Sequence, residues 1–202
     1  MKPFPLPLPL PLQELLPSHL QSLCINLPGT KGERVFAQGQ RPEHMLYVAS
    51  GEVVLQRLGA HGDNLVLQRV RQGWLAEASL QSSSYHCDAF VTASGNLVGI
   101  PVIAIQQALL TDPVFAMRWV GMLNRELKRL RAQCERLSLK SVKDRLLHLL
   151  ETEGEQGCLP LGTGLKSIAS ELGVSHEALY RTVAELEKQG VLHRADGHIC
   201  YI

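Results

Sequence analysis

The residues best placed to do chemistry lie between Leu165 and Gly190, in the run LKSIASELGVSHEALYRTVAELEKQG. Arginine can donate two hydrogen bonds to guanine, and glutamate can accept one from the amino group of cytosine. Glu177 and Arg181 stand four residues apart, with His176 and Tyr180 between and beside them. On a helix that spacing puts all four on one outer face. Leu179, Val183 and Leu186 form the buried stripe opposite. Ser175 is the expected N-cap of this helix, and Glu177 in its first turn suits the positive end of the dipole. Ser175, Thr182 and Lys188 are candidate phosphate contacts, which position a duplex without reading its sequence.

Such a helix needs a support that presents it. Ile168, Ala169 and Leu172 give a shorter apolar face just upstream, and Gly173 follows where a helix would end in a left-handed residue. Helices over Leu165–Leu172 and His176–Gln189, joined by a tight turn, make the helix-turn-helix pattern whose second helix enters the major groove. Asp196-Gly197 is a tight-hairpin signal between Leu192–Arg194 and His198–Ile202, which predicts a wing. Charge gives this reading no help. The formal net charge is +1, and residues 138–202 carry seven Arg/Lys against nine Asp/Glu. Any basic residues that meet DNA must therefore cluster on one face.

Upstream, residues 112–137 contain glycine only at Gly121 and no proline after Pro113. Ala116, Val120, Leu123, Leu127, Leu130, Cys134 and Leu137 are separated by alternating gaps of four and three, the spacing of a coiled-coil seam. Arg125, Lys128, Arg129, Arg131, Glu135 and Arg136 are placed on the opposite, polar face. A dimer through Val120, Leu123, Leu127, Leu130, Cys134 and Leu137 is the expectation. A further helix is predicted over Leu139–Glu153, then a loop over Gly154–Gly164. Residues 30–110 read as short strands punctuated by glycine: Arg34–Ala37, Met45–Ala49, Glu52–Leu58, Asn64–Val70, Ala89–Ala93 and Leu97–Pro101, with His61-Gly62-Asp63 as a hairpin tip. Short helices are expected near 12–25 and 102–110. Prolines at every second position from Pro3 to Pro11 argue for an extended arm over residues 1–17, with neither helix nor central strand. The fold class is α+β: arm 1–17, jelly-roll-like β-barrel sensor 18–111, dimerisation helix 112–137, winged helix-turn-helix 138–202.

Composition and motifs exclude several classes. With 45% apolar and 19% charged residues the chain can bury an ordinary core. No apolar run is long enough to span a membrane, and the proline-broken start does not read as a secretory signal. Cys24, Cys87, Cys134, Cys158 and Cys200 are scattered and odd in number, without a C-x-x-C. That predicts a reducing cytosol, no disulfide framework and no zinc site. No catalytic constellation is present: His44, His61 and His86 stand singly, and no nucleophile-elbow, zincin or phosphate-loop motif occurs.

These parts, in this order, resemble the CRP/FNR family of transcription regulators over about residues 15–202. Gly32–Val53, GERVFAQGQRPEHMLYVASGEV, is similar to the start of the family's barrel. Ser175-His176-Glu177-Ala178-Leu179-Tyr180-Arg181 is similar to the family's recognition-helix signature Ser-Arg-Glu-Thr-Val-x-Arg, with His176 in place of the first arginine. The resemblance implies base-reading roles for Glu177 and Arg181. It also implies a cytoplasmic bacterial homodimer on a palindromic operator, with double-stranded DNA and RNA polymerase as partners and no membrane association. Cyclic-nucleotide binders of the family carry Gly-Glu and then Arg-Ser or Arg-Thr. Here Ala76-Glu77 stands at the first pair and, anchored on Ala89-Phe90-Val91, Cys87-Asp88 at the second. The implied effector pocket is therefore Glu77, Cys87 and Asp88, and Asp88 would repel a cyclic phosphate. Control by cyclic AMP is not expected, no cofactor or metal is assigned, and the effector stays open. A lone Cys24 before the barrel does not provide for an iron–sulfur cluster. Haem or thiol-redox sensing through His86 and Cys87 is the alternative signal, though neighbours on a strand face opposite ways. A protein-interaction module without DNA binding is the alternative of another class.

Overall fold

The glycine-punctuated half of the chain folds into two antiparallel sheets within the first of two compact units, Met1–Met122 and Leu123–Ile202. The computed structural model describes residues 2–4, 7–59, 64–161 and 164–202, so the expected hairpin tip at His61-Gly62-Asp63 lies outside the described residues. The strands are β1 (Lys2–Pro3), β2 (Ile25–Gly29), β3 (Arg34–Phe36), β4 (His44–Val48), β5 (Glu52–Leu58), β6 (Asn64–Val70), β7 (Gly73–Leu75), β8 (Asp88–Ala93) and β9 (Gly95–Pro101). One sheet runs β1-β2-β9-β4-β7, the other β3-β8-β5-β6. Side chains alternate across each strand, and the facing sets interlock. Leu46, Val48, Leu75 and Leu97 from the first sheet pack with Phe36, Val53, Leu55, Val70, Ala89 and Val91 from the second.

The other face of the first sheet is covered by α1 (Leu10–Leu15), α2 (Ser18–Gln21), α3 (Val102–Thr111) and the first turns of α4 (Pro113–Ser138). This corrects the expectation for the arm, which contains a helix and a short edge strand. Pro9 is the N-cap of α1 and Pro11 lies in its first turn, where no intrahelical donor is needed. Leu8, Leu12, Leu15, Leu16 and Leu20 are all buried in one cluster with Met45, Trp74, Ile105 and Trp119. Asp112 caps α4 by accepting the Phe115 N–H at 2.9 Å.

The second unit holds the rest of α4, α5 (Val142–Glu153), β10 (Cys158–Pro160), α6 (Leu165–Leu172), α7 (His176–Lys188), β11 (Leu192–Ala195) and β12 (His198–Tyr201). Its core joins Leu146, Leu149 and Leu150 of α5 to Ile168, Leu172, Leu179, Val183, Leu186 and Ile199. Three expectations are corrected here. The stretch Gly154–Gly164 contains strand β10, so the small sheet has order β10-β12-β11. Cys158 and Cys200 form a disulfide, against the expectation from the odd and scattered cysteine count; strand pairing brings together residues 42 apart in sequence. Arg136 does not lie on an exposed face. Its side chain is fully buried, bonded to Glu153 and to the Thr152 hydroxyl at 3.2 Å, with Glu171 at 3.8 Å. A second arginine, Arg145, donates to the carbonyls of Leu139 at 2.8 Å and Leu172 at 2.9 Å.

Two backbone positions carry opposite demands. A Cβ on Gly95 would overlap the Ser50 carbonyl oxygen, so Gly95→Ala should destabilise by at least about 1–3 kcal/mol in urea unfolding. Ala76 adopts φ 57°, the left-handed region that penalises a Cβ. Ala76→Gly should therefore raise stability by about 1 kcal/mol, read as a higher urea midpoint at unchanged slope. A lower midpoint would show that the buried Ala76 methyl matters more than the strain.

Candidate nucleic-acid interface

The outer face of α7 is built from residues that its core stripe leaves over. Leu179, Val183 and Leu186 are buried, while Glu177, Tyr180, Arg181 and Ala184 are exposed. Gly173 ends α6 at φ 64°, and the Val174 N–H closes the turn on the Ala169 carbonyl at 3.0 Å. Ser175 caps α7 by accepting the Ala178 N–H at 3.2 Å. His176 is half-buried and packs edge-on to Tyr180, ring centroids 4.3 Å apart. The Glu177 carboxylate is held below its ordinary pKa by its own backbone N–H, then by the Ser175 hydroxyl and by His176. It is thus an ionised hydrogen-bond acceptor at neutral pH, the state able to accept a hydrogen bond from a base amino group. Ser175 and Lys188 are also exposed.

The wing forms as expected. β11 pairs antiparallel with β12, and Asp196 and Gly197 at the tip have φ 49° and 73°, both in the left-handed region. Arg194 in β11 makes a two-pronged contact with Glu187 of α7 at 2.7 and 2.8 Å, fixing the hairpin to that helix. Thr182 is half-buried on the flank of α7. Its hydroxyl donates to the Ala178 carbonyl at 2.9 Å, and its side chain lines a cleft of about 250 Å³ with Ser141, Val142, Lys143, Glu185, Leu186 and Gln189. Nothing in the residue pattern signals this cleft or the part played by Arg194.

Along α4, Val120, Leu123, Leu127, Leu130, Cys134 and Leu137 are all exposed, with the five aliphatic residues between 37% and 47% accessible. Together they form a continuous apolar stripe on the exposed side of α4.

The residues named for an effector do not converge on one point. Cys87 is fully buried in the core between the sheets, and burial pushes its thiol up, with Asp88 adding to the shift and Arg57 opposing it. Asp88 faces the other way and accepts the Gln38 N–H at 3.1 Å. Glu77 is half-buried at the start of a short 3-10 turn, Glu77–Gln81, directly after the strained Ala76. His86 is exposed while Cys87 is buried, so the two do not share a face. Among the described residues, no group of three or more His, Cys, Asp and Glu side chains could hold a metal ion. No helix among them is long and apolar enough to cross a membrane.

Comparison with known proteins agrees with this geometry. Residues 30–112 match the family model described as cyclic nucleotide-binding domain. No curated protein matches the chain. Among solved structures, FixK2 from Bradyrhizobium japonicum is similar with a TM-score of 0.72 at 19% identity, covering 88% of this chain and 92% of that one. The c-di-GMP-responsive global regulator CLP from Xanthomonas campestris gives 0.62 at 22% identity, covering 89% and 94%. A CRP-family transcriptional regulator from Thermus thermophilus gives 0.62 at 18%, covering 87% and 91%. Residues 30–112 thus resemble a cyclic nucleotide-binding domain, and the chain has the fold of solved CRP-family transcription regulators.

Proposed function

We propose that the protein is a sequence-specific DNA-binding transcription regulator that acts as a homodimer on a two-fold symmetric duplex. The observation that carries this reading is the solvent-facing set Glu177, Tyr180 and Arg181 on α7, presented by the Gly173 turn and flanked by the wing. In this reading Arg181 donates to guanine and Glu177 accepts from cytosine. His176 packs beside them, and Ser175 and Lys188 meet phosphates. The exposed stripe from Val120 to Leu137 supports pairing of two copies through α4, which sets two recognition helices on successive major grooves. RNA polymerase is the further partner such a role implies, and the cytoplasm the compartment.

The signal is not cyclic AMP in this proposal. The place of the phosphate-clamping arginine is taken by a buried thiol and a carboxylate, and Ala76 stands strained where the resemblance carries glycine. One regulator of this fold, from Xanthomonas campestris, responds to c-di-GMP, so the fold itself does not oblige one nucleotide.

Two experiments test the reading. Duplex binding, followed by fluorescence anisotropy, should weaken steeply as salt rises. Arg181→Ala should cost about 1–3 kcal/mol of discrimination between the preferred and a mismatched site, with little change in non-specific affinity. An unchanged sequence preference would remove the role given to Arg181. Replacing Leu127 and Leu130 together with glutamate should turn a dimer into a monomer in sedimentation and abolish tight binding. A monomer that still binds the full site tightly would contradict the dimer scheme.

A further inference from the structure

Cys158 and Cys200 lie directly opposite each other on β10 and β12. The backbone around them shows which kind of pair they are. The Tyr201 N–H donates to the Gly157 carbonyl at 3.0 Å, and the Leu161 N–H to the Gly197 carbonyl at 2.7 Å. Hydrogen-bonded pairs alternate along an antiparallel ladder, so 157/201, 159/199 and 161/197 are bonded and 158/200 falls between them. Cys158 instead exchanges both of its backbone bonds with Glu155, at 2.9 and 3.0 Å, across a turn in which Gln156 and Gly157 have φ 52° and 76°. The two Cα atoms are 4.1 Å apart, at the close end of the spacing for a non-bonded pair. No backbone bond joins the two cysteines; the sulfurs do.

Three features make this link more than a staple. It closes a loop of 42 residues that contains all of α6, α7 and the wing turn. It ties down a three-residue strand at the edge of its sheet, and α6 begins five residues after that strand ends. By strand alternation it lies on the sheet face opposite Ile199, which is fully buried in the helical core, and Cys158 itself is only half-buried. Cys200 is buried at 7% exposure, so Cys158 is the more accessible partner and the one at which a small thiol attacks. Cys24 and Cys87 are buried in the other unit and do not compete within the chain.

We propose that Cys158 and Cys200 are a reversible dithiol–disulfide site that clamps the wing sheet and so sets the stability of the DNA-binding unit and its affinity for duplex. A thiolate of a small dithiol attacks the Cys158 sulfur, and the Cys200 thiolate leaves and takes a proton. The second thiolate of the reductant then displaces Cys158. The protein gains two thiols, and the reductant gives two electrons and becomes a disulfide. Oxidised glutathione drives the reverse exchange. The stability effect stands on the geometry alone; the effect on affinity rests on the function proposed above.

The test compares the full chain after oxidation with glutathione disulfide and after reduction with dithiothreitol, beside Cys158→Ser/Cys200→Ser. Alkylation and peptide mapping, which separates this pair from the exposed Cys134, should find both cysteines protected only in the oxidised form. The thermal midpoint of the second unit should fall by roughly 10 °C on reduction. Duplex affinity should weaken several-fold on reduction. The double variant should match the reduced protein in both buffers. Full alkylation of Cys158 and Cys200 after oxidation, or midpoints that do not differ, would overturn the clamp. A persisting midpoint shift with no duplex binding in either state would uphold the clamp and remove the function it was proposed to serve.

Discussion

A guanidinium taken wholly out of water at the end of a long helix constrains everything that follows it. Arg136 leaves α4 and is met by Glu153 and Thr152 of α5 and by Glu171 of α6. A buried charge is tolerated only with partners in place, and removing one partner of such a pair costs about 3–5 kcal/mol. These contacts join the three helices at one side chain, of which Nη2 alone is hydrogen-bonded while Nη1 faces Glu171 as an ion pair. Arg145 repeats the device on a smaller scale, taking up the carbonyl at the end of α6 one residue before Gly173. Polar contacts thus fix where the turn begins, and the turn fixes where α7 points. The outer face of α7 is a consequence, since once Leu179, Val183 and Leu186 are committed to the core, Glu177, Tyr180 and Arg181 have nowhere to go but outward.

In the first unit the same role belongs to aromatic packing. Tyr47, Trp74, Trp119 and Phe115 form a chain of edge-on contacts with centroids 5.2–5.8 Å apart, running from β4 and β7 to α4. Trp74 stands two residues before the strained Ala76 and three before Glu77. In a close-packed interior, displacement of Trp74 must be accommodated by Trp119. The segment that the family resemblance names for ligand binding is thereby in direct packing register with the helix that carries the exposed apolar stripe.

Much of this is legible in the residue pattern, and the departures have physical causes. Glu52–Leu58, Asn64–Val70 and Leu165–Leu172 have the expected bounds, because glycines, alternation and a left-handed helix stop all act locally. β2 escapes the pattern because Pro28 reads as a strand breaker; the strand tolerates it because β1 pairs only with Ile25 and Asn26, leaving Pro28 at a free edge on that side. The prolines of the arm suggest an extended chain for the same reason, yet they sit at the start of α1 where they do no harm. Heptad position assigns Arg136 to a solvent face, and tertiary pairing overrides that assignment. The disulfide is invisible in the sequence because spacing does not reveal which strands will pair. In α7 the outward residues follow from periodicity alone. The withdrawal of Thr182 into its own helix and of Arg194 onto Glu187 depends on contacts that periodicity does not contain.

The most direct test of sequence-specific binding by a dimer is selection of duplexes from a random-sequence library by the purified protein at moderate salt. The expected result is enrichment of a two-fold symmetric sequence with half-sites about 10–10.5 base pairs apart, centre to centre. Recovery of no preferred sequence, or of a single unpaired half-site, would contradict paired recognition helices reading one duplex.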